Sequence, residues 1–246
     1  MQQATFRVWR GEGTKGEFRD YTTEIVPGMV VLDAIHRIQA TQAGDLACRW
    51  NCKAGKCGSC SAEINGKPRL MCMTRLNELP LEEPVTVEPM KAFPPIRDLV
   101  TDVSWNFAVK KRIKPFKPRT PDAPDGTWRM AQADVDRVQE FRKCIECFLC
   151  QDVCHVLRDH AMHEQFIGPR FLTYAAALEM HPLDDEDRVT ELRELHGIGY
   201  CNITRCCTKV CPEHITITEN AIIPLKERVV DRFYDPVRRL FRVFSG

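Results

Sequence analysis

Apolar and polar positions alternate over residues 5–10 and again over residues 18–26, the period-two signature of strands half-buried on a sheet. Between them, Gly11-Glu12-Gly13-Thr14-Lys15-Gly16 formally matches a dinucleotide-binding glycine motif. That motif needs a helix after it; a second strand pattern follows instead, so the glycines read as a hairpin turn. The period then changes: Val31, Ala34, Ile35 and Ile38 mark one helix face over residues 30–40. Residues 61–64 and 69–73 flank Asn65-Gly66 and read as a second hairpin, because Asn-Gly suits a type I′ turn. Val85-Thr86-Val87 is a short closing strand, and residues 101–111 read as a helix leading out of this first region. Pro115, Pro118, Pro121 and Pro124 then exclude helix and central strand alike.

Beyond the prolines the pattern is helical. Val135, Val138 and Phe141 recur at three-residue steps, and Gly168-Pro169 opens a helix carrying Phe171, Leu172, Ala175 and Leu178. The acidic run at 184–187 reads as a solvated helix start, and residues 220–233 give a further amphipathic stretch with Pro224 near its beginning. The expected class is α+β: a β-rich domain over residues 1–107 and a helical domain over residues 108–246. Trp9, Trp105 and Trp128 are expected in the core or at an interface.

Composition narrows the function. A net charge of +1 gives no general attraction to nucleic acid, and no apolar run reaches the ~18 residues needed to span a bilayer. The start, Met1-Gln2-Gln3-Ala4-Thr5, has neither the layout of a signal peptide nor that of a transit segment, so a reducing compartment is expected. Thirteen cysteines in such a compartment suit metal better than disulfides, and an odd count suits disulfides poorly. They fall in three groups: 48–72, 144–154 and 201–211.

In the first group, Cys52-x4-Cys57-x2-Cys60 followed by Cys72 has the spacing of a plant-type [2Fe–2S] site. A tight loop brings three sulfurs and a strand after a hairpin brings the fourth, while Gly55 and Gly58 let the loop wrap closely. Zinc is the rival ligand, and colour separates the two: an iron–sulfur protein is brown, a zinc protein colourless. Strands, helix, cysteine loop and hairpin together resemble the β-grasp fold of plant-type ferredoxins. Cys48 falls outside the spacing and reads as a core or loop residue.

The second group, Cys144-x2-Cys147-x2-Cys150-x3-Cys154, is the bacterial-ferredoxin run, whose fourth cysteine serves the other cluster. The third group keeps the register as Cys201-x2-Thr204-x2-Cys207-x3-Cys211-Pro212, with Thr204 in the second ligand position. Crossing the fourth cysteines gives Cys144, Cys147, Cys150 and Cys211 for a [4Fe–4S] cluster. Cys201, Cys207 and Cys154 remain, three thiolates that suit [3Fe–4S]. Cys206 is off register by one residue; a rescue in which it replaces Thr204 would distort the loop.

This order of motifs is similar to the iron–sulfur subunit of succinate dehydrogenase and fumarate reductase. Supporting segments are Arg49-Trp50-Asn51-Cys52-Lys53-Ala54-Gly55-Lys56-Cys57-Gly58-Ser59-Cys60, Phe166-Ile167-Gly168-Pro169 and Val210-Cys211-Pro212. The resemblance implies a wire: electrons leave FAD on a flavoprotein subunit, pass [2Fe–2S], [4Fe–4S] and [3Fe–4S], and reach a quinone held by membrane-anchor subunits, which in some members bear heme. It also implies a peripheral place on the cytoplasmic face of the cell membrane. This chain holds no plausible dicarboxylate site, so the catalytic centre belongs to a partner. Many members have Pro after the fourth cysteine of the first run, and ubiquinone-using members often follow it with a Trp pair and place His after the first cysteine of the last run. Here His155-Val156-Leu157-Arg158 and Asn202 stand instead, which argues for menaquinone or for a quinone site built mainly by the anchor. His155 and His160 are either quinone- or heme-facing or plain surface and interface histidines. Lys209, Lys226, Arg228, Arg238, Arg239 and Arg242 make the C-terminal stretch basic, as a packed helix with a solvated face or as a contact to anchor or lipid. A freely diffusing ferredoxin is the rival from another class; it would purify alone and would not need the proline segment or the basic tail.

Overall fold

The computed structural model describes residues 2–236. Strands β1 (Gln2–Glu12) and β2 (Lys15–Ile25) form a long antiparallel hairpin, in register from Gln2↔Ile25 to Glu12↔Lys15. Ala4, Phe6 and Val8 alternate into the core, as the period-two pattern requires. Helix α1 (Val31–Thr41) covers that face with Val31, Leu32, Ala34, Ile35 and Ile38. Strands β3 (Ser61–Ile64) and β4 (Lys67–Leu70) form the second hairpin, with Asn65 and Gly66 at φ 48° and 68° as a type I′ turn demands.

Strand β5 (Val85–Glu88) inserts between β3 and β1, running parallel to β1, so Val85 and Val87 are fully buried. Strands β6 (Pro95–Arg97) and β7 (Val100–Thr101) complete a seven-stranded sheet in the order β4-β3-β5-β1-β6-β7, with β2 on β1. Because β7 pairs into the sheet, helix α2 (Ser104–Lys110) starts three residues later than its apolar pattern suggests.

The proline segment does not hang free. Its backbone bonds along residues 181–188 (Arg119 N to Leu183 O at 2.9 Å, Asp185 N to Lys117 O at 2.8 Å). The fully buried Arg188 guanidinium donates to the carbonyls of Lys114 and Pro115 and pairs with Asp184 at 2.9 Å. This corrects the reading of the acidic run as a solvated helix start: the Asp184 side chain is buried, because it answers a buried arginine.

Helices α3 (Gln132–Gln139), α4 (Leu149–Asp152), α5 (His155–Arg158), α6 (Gly168–Glu179), α7 (Val189–Glu194), α8 (Cys206–Val210) and α9 (Ile223–Phe233) build the second half. Pro169 stands in the first turn of α6 and Pro224 in that of α9, where a missing N–H costs nothing. A π-type turn, Ile217–Ile222, precedes α9. Trp105 is half-buried and donates to His163 O at 3.1 Å, Trp9 packs edge-on to Phe18, and Trp128 is exposed. Among the described residues no helix is long and apolar enough to cross a membrane. Arg238, Arg239 and Arg242, with the apolar positions between them, lie outside the described residues.

Candidate iron–sulfur sites

All thirteen cysteines are free, and all but Cys48 gather in three places. The first is the loop between α1 and β3. Lys53, Gly55 and Gly58 adopt left-handed backbone there, at φ 54°, 67° and 68°, which turns the chain around the sulfurs. The Cys52 sulfur accepts from the amides of Ala54 and Lys56, each at 3.3 Å, and the Cys60 sulfur accepts from the amide of Cys72 at 3.5 Å. Amides aimed at sulfur stabilise thiolate charge. Burial alone would raise the Cys57 thiol, but hydrogen bonds from Ser59 and the Cys52 backbone bring it down to about 7. Burial pushes Cys60 up to about 12.

The second place is a cavity lined by Cys144, Cys147, Cys150 and Cys211, closed by apolar side chains including Ile145, Phe148 and Ile217. Burial pushes Cys147 up to about 12 and Cys150 well above the ordinary thiol range. The third is a cavity lined by Cys154, Cys201, Cys207 and Cys206, with Thr204, Asn202 and His155 at its rim. Burial raises Cys154 to about 11 and Cys207 to about 12. Helix α4, which carries Cys150 of the second cavity, packs against α8, which carries Cys207 of the third, so the two adjoin.

The two cysteine runs share one backbone signature. Glu146 and Phe148 are left-handed around Cys147 (φ 54° and 62°); Ile203 and Arg205 are left-handed around Thr204 (φ 59° and 63°). A short helix follows each, α4 and α8. Thr204 therefore occupies the structural position of Cys147.

The cages fit iron–sulfur clusters by their donors. Each surrounds a space with thiols and backbone amides, and no disulfide consumes a sulfur. Thiols held neutral by burial must lose their protons on binding metal, so cluster insertion releases protons here.

Residues the spacing does not reveal tie the first place to the second. A Cβ on Gly58 would lie 2.5 Å from the Cα of Cys147, and Ser61 Oγ donates to Cys147 O at 2.8 Å. Glu146 is clamped between Lys110 at 2.5 Å and Arg170 at 2.6 Å. Burial works against the Glu146 charge, but these cations hold its carboxyl below the usual range. The glycine was visible in the sequence as a loop former; its partner was not, because the contact spans almost 90 residues of chain. At the third cavity, Asn202 Nδ2 stands 2.9 Å from His155 Nε2, so the two side chains are paired. The His155 and His160 rings lie 6.3 Å apart, and His160 is exposed. Cys48, half-buried against the core and away from the cavities, is pushed up to about 12 by burial.

Comparison with known proteins agrees with this arrangement. A 2Fe-2S iron-sulfur cluster binding domain family matches residues 5–108, and a 4Fe-4S dicluster domain family matches residues 140–215. The chain is 35% identical over 202 residues to a fumarate reductase iron-sulfur subunit of Mycobacterium tuberculosis, covering 80% of each chain. The chain belongs to the succinate dehydrogenase/fumarate reductase iron–sulfur subunit family. Within that family it is 31% identical over 177 residues to the succinate dehydrogenase iron-sulfur subunit of Bacillus subtilis, covering 68% of this chain and 66% of the other. Its fold matches a chain of the Mycobacterium smegmatis Sdh1 complex in the apo form, with a TM-score of 0.91, 62% identity, and 96% and 98% of the two chains covered. These relatives are subunits of larger enzymes, and this family member carries a [2Fe–2S] and a [4Fe–4S] binding domain.

Proposed function

We propose that this subunit conducts electrons from the FAD of a flavoprotein partner to a membrane quinone, in the direction of succinate oxidation, with menaquinone as acceptor. Cys52, Cys57, Cys60 and Cys72 would hold [2Fe–2S]; Cys144, Cys147, Cys150 and Cys211 would hold [4Fe–4S]; Cys154, Cys201 and Cys207 would hold [3Fe–4S]. The observation that carries this reading is the row of three thiol-lined places, joined by Gly58 against Cys147 and by α4, which carries Cys150, packed against α8, which carries Cys207. Electron tunnelling falls exponentially with distance, so a conductor needs such contacts and little else from the chain between its centres. Bound clusters supply the one-electron chemistry. The chain itself supplies thiolates, amide donors to sulfur, and an apolar wall that keeps water from the middle cavity.

The division into residues 1–107 and 108–246, and a peripheral site on the cytoplasmic face of the cell membrane held by anchor subunits, belong to the same proposal. Menaquinone is favoured by Asn202 and by His155-Val156-Leu157-Arg158 at the rim of the third cavity. A second reading, fumarate reduction with electrons running the other way, is favoured by the name of the Mycobacterium tuberculosis relative. The complex purified with this chain tests both. Faster succinate-driven reduction of a menaquinone analogue than fumarate reduction by the reduced analogue supports the proposal. Faster fumarate reduction supports the second reading, and no turnover with either dicarboxylate in an intact complex rejects both.

A further inference from the structure

We propose that Cys206 is an exchangeable fourth ligand of the third centre, so that this site takes up and releases one iron, passing between [3Fe–4S] and [4Fe–4S]. The inference rests on the three-thiolate reading of that centre and asks what stands at its open corner. Thr204 holds the ligand position there, and its hydroxyl is a poor substitute for a thiolate. Cys206 Sγ lies 3.3 Å from Thr204 Oγ1, so a thiol already borders the position the threonine leaves unfilled.

Two observations support a ligand rather than a bystander. First, Cys206 lines the same cavity as Cys154, Cys201 and Cys207, whereas Leu149, its counterpart in the other run, does not line the second cavity. The side chain lines the cavity in the backbone as it stands, and the proposal departs on that ground from the expectation that a rescue distorts the loop. Second, it stands on a wall. Its other side borders an open groove between β4 and α8, lined by Met73, Arg158, Lys209 and Pro212 among others. It is half-buried, and Asn202, Ile203, Thr204 and Arg205 beside it are exposed. Iron reaching or leaving this corner crosses a single layer of side chains, whereas none of the four cysteines of the second cavity borders that groove.

The step balances. [3Fe–4S]+ gains one electron from a one-electron reductant (the wire itself, or dithionite in the test) and becomes [3Fe–4S]0. One Fe2+ then enters, the Cys206 thiol loses its proton to solvent as its sulfur bonds that iron, and [4Fe–4S]2+ results. In reverse, a one-electron oxidant expels Fe2+ and returns the thiol. The consequence is a site whose quinone-side competence depends on iron supply and redox state.

The test uses the purified complex, oxidised and then incubated anaerobically with 57Fe2+ and dithionite, and desalted. Mössbauer spectroscopy should find about one labelled iron per chain in a four-iron cluster, in a sample whose oxidised form first showed a three-iron EPR signal. Cys206 should react with iodoacetamide before loading and be protected after it, read by peptide mass spectrometry. The Cys206→Ser complex should show the same three-iron signal and retain no labelled cluster iron. Equal iron uptake by Cys206→Ser, no uptake by the native complex, or unchanged alkylation of Cys206 after loading would each overturn the proposal. If Cys206→Ser fails to assemble, the alkylation and uptake measurements on the native complex still decide. A native complex with no three-iron signal in any oxidised sample would instead remove the three-thiolate reading on which the proposal stands.

Discussion

Thr204 and Cys147 each sit between two left-handed residues and ahead of a short helix, and they differ in what they offer a metal. A thiolate binds iron strongly and a neutral hydroxyl does not. Thr204→Cys is therefore expected to give an iron-replete four-iron centre, with the three-iron EPR signal of the oxidised complex lost. Persistence of that signal would mean that the shared register does not set the ligand position. The crossover makes a second residue-scale prediction. Cys211→Ser should damage the [4Fe–4S] centre and spare the three-iron signal, and Cys154→Ser should do the opposite; EPR of both variants showing the reverse pairing would refute the assignment. The spacing of the cysteines carried these sites in the sequence, because metal ligation fixes residue type and interval together. Cys206 was visible only as off register. Spacing counts positions along a chain; the direction of a side chain at a helix start appears only in three dimensions.

Among the elements, the two hairpins and the helix face over residues 30–40 were legible, because their period and turn residues agree. β6 and β7 were not: strands of three and two residues are too short to show a period. Where elements meet, small residues decide. Gly58 combines φ 68° with a Cβ position 2.5 Å from Cys147 Cα, so Gly58→Ala both strains the backbone and drives the two cluster loops apart. The expected cost is about 1–3 kcal/mol, seen as a lower melting temperature of the complex with slower reduction past [2Fe–2S]; unchanged values would show that the contact is not close. His196, at the end of α7, is buried with neither ring nitrogen hydrogen-bonded, and burial lowers its pKa below 6.5. Its contribution to stability is present above pH 6.5 and is lost as pH falls through the depressed folded value, since the unfolded chain binds the proton first. Denaturation measured as a function of pH should show that acid-side loss and show it diminished in His196→Phe.

Across the whole molecule, the sheet half and the helical half are bound by charge as well as by packing. Glu63 on β3 is fully buried and receives Arg158 of α5 at 2.7 Å and Lys91 at 3.2 Å. Asp152 of α4, also fully buried, accepts from the amide of Ala92 at 2.9 Å. Removing one partner from such a set strands a charge in low dielectric, so these contacts hold the halves, and with them the cluster sites, in one relation. None of this was readable beforehand: a Glu in a strand and an Arg after a cysteine run carry no mark of each other. The proline segment likewise read only as excluding helix and central strand, and its composition did not show that Arg188 clamps it.

The central claim is that three centres in series, the last with three irons, pass electrons through this chain. Low-temperature EPR on the complex purified with it, oxidised and then reduced stepwise, tests that claim most directly. The account predicts a three-iron signal in the oxidised sample, followed by a [2Fe–2S] signal as reduction proceeds. An intact, iron-replete complex with no three-iron signal when oxidised, or with no [2Fe–2S] signal when reduced, would contradict it.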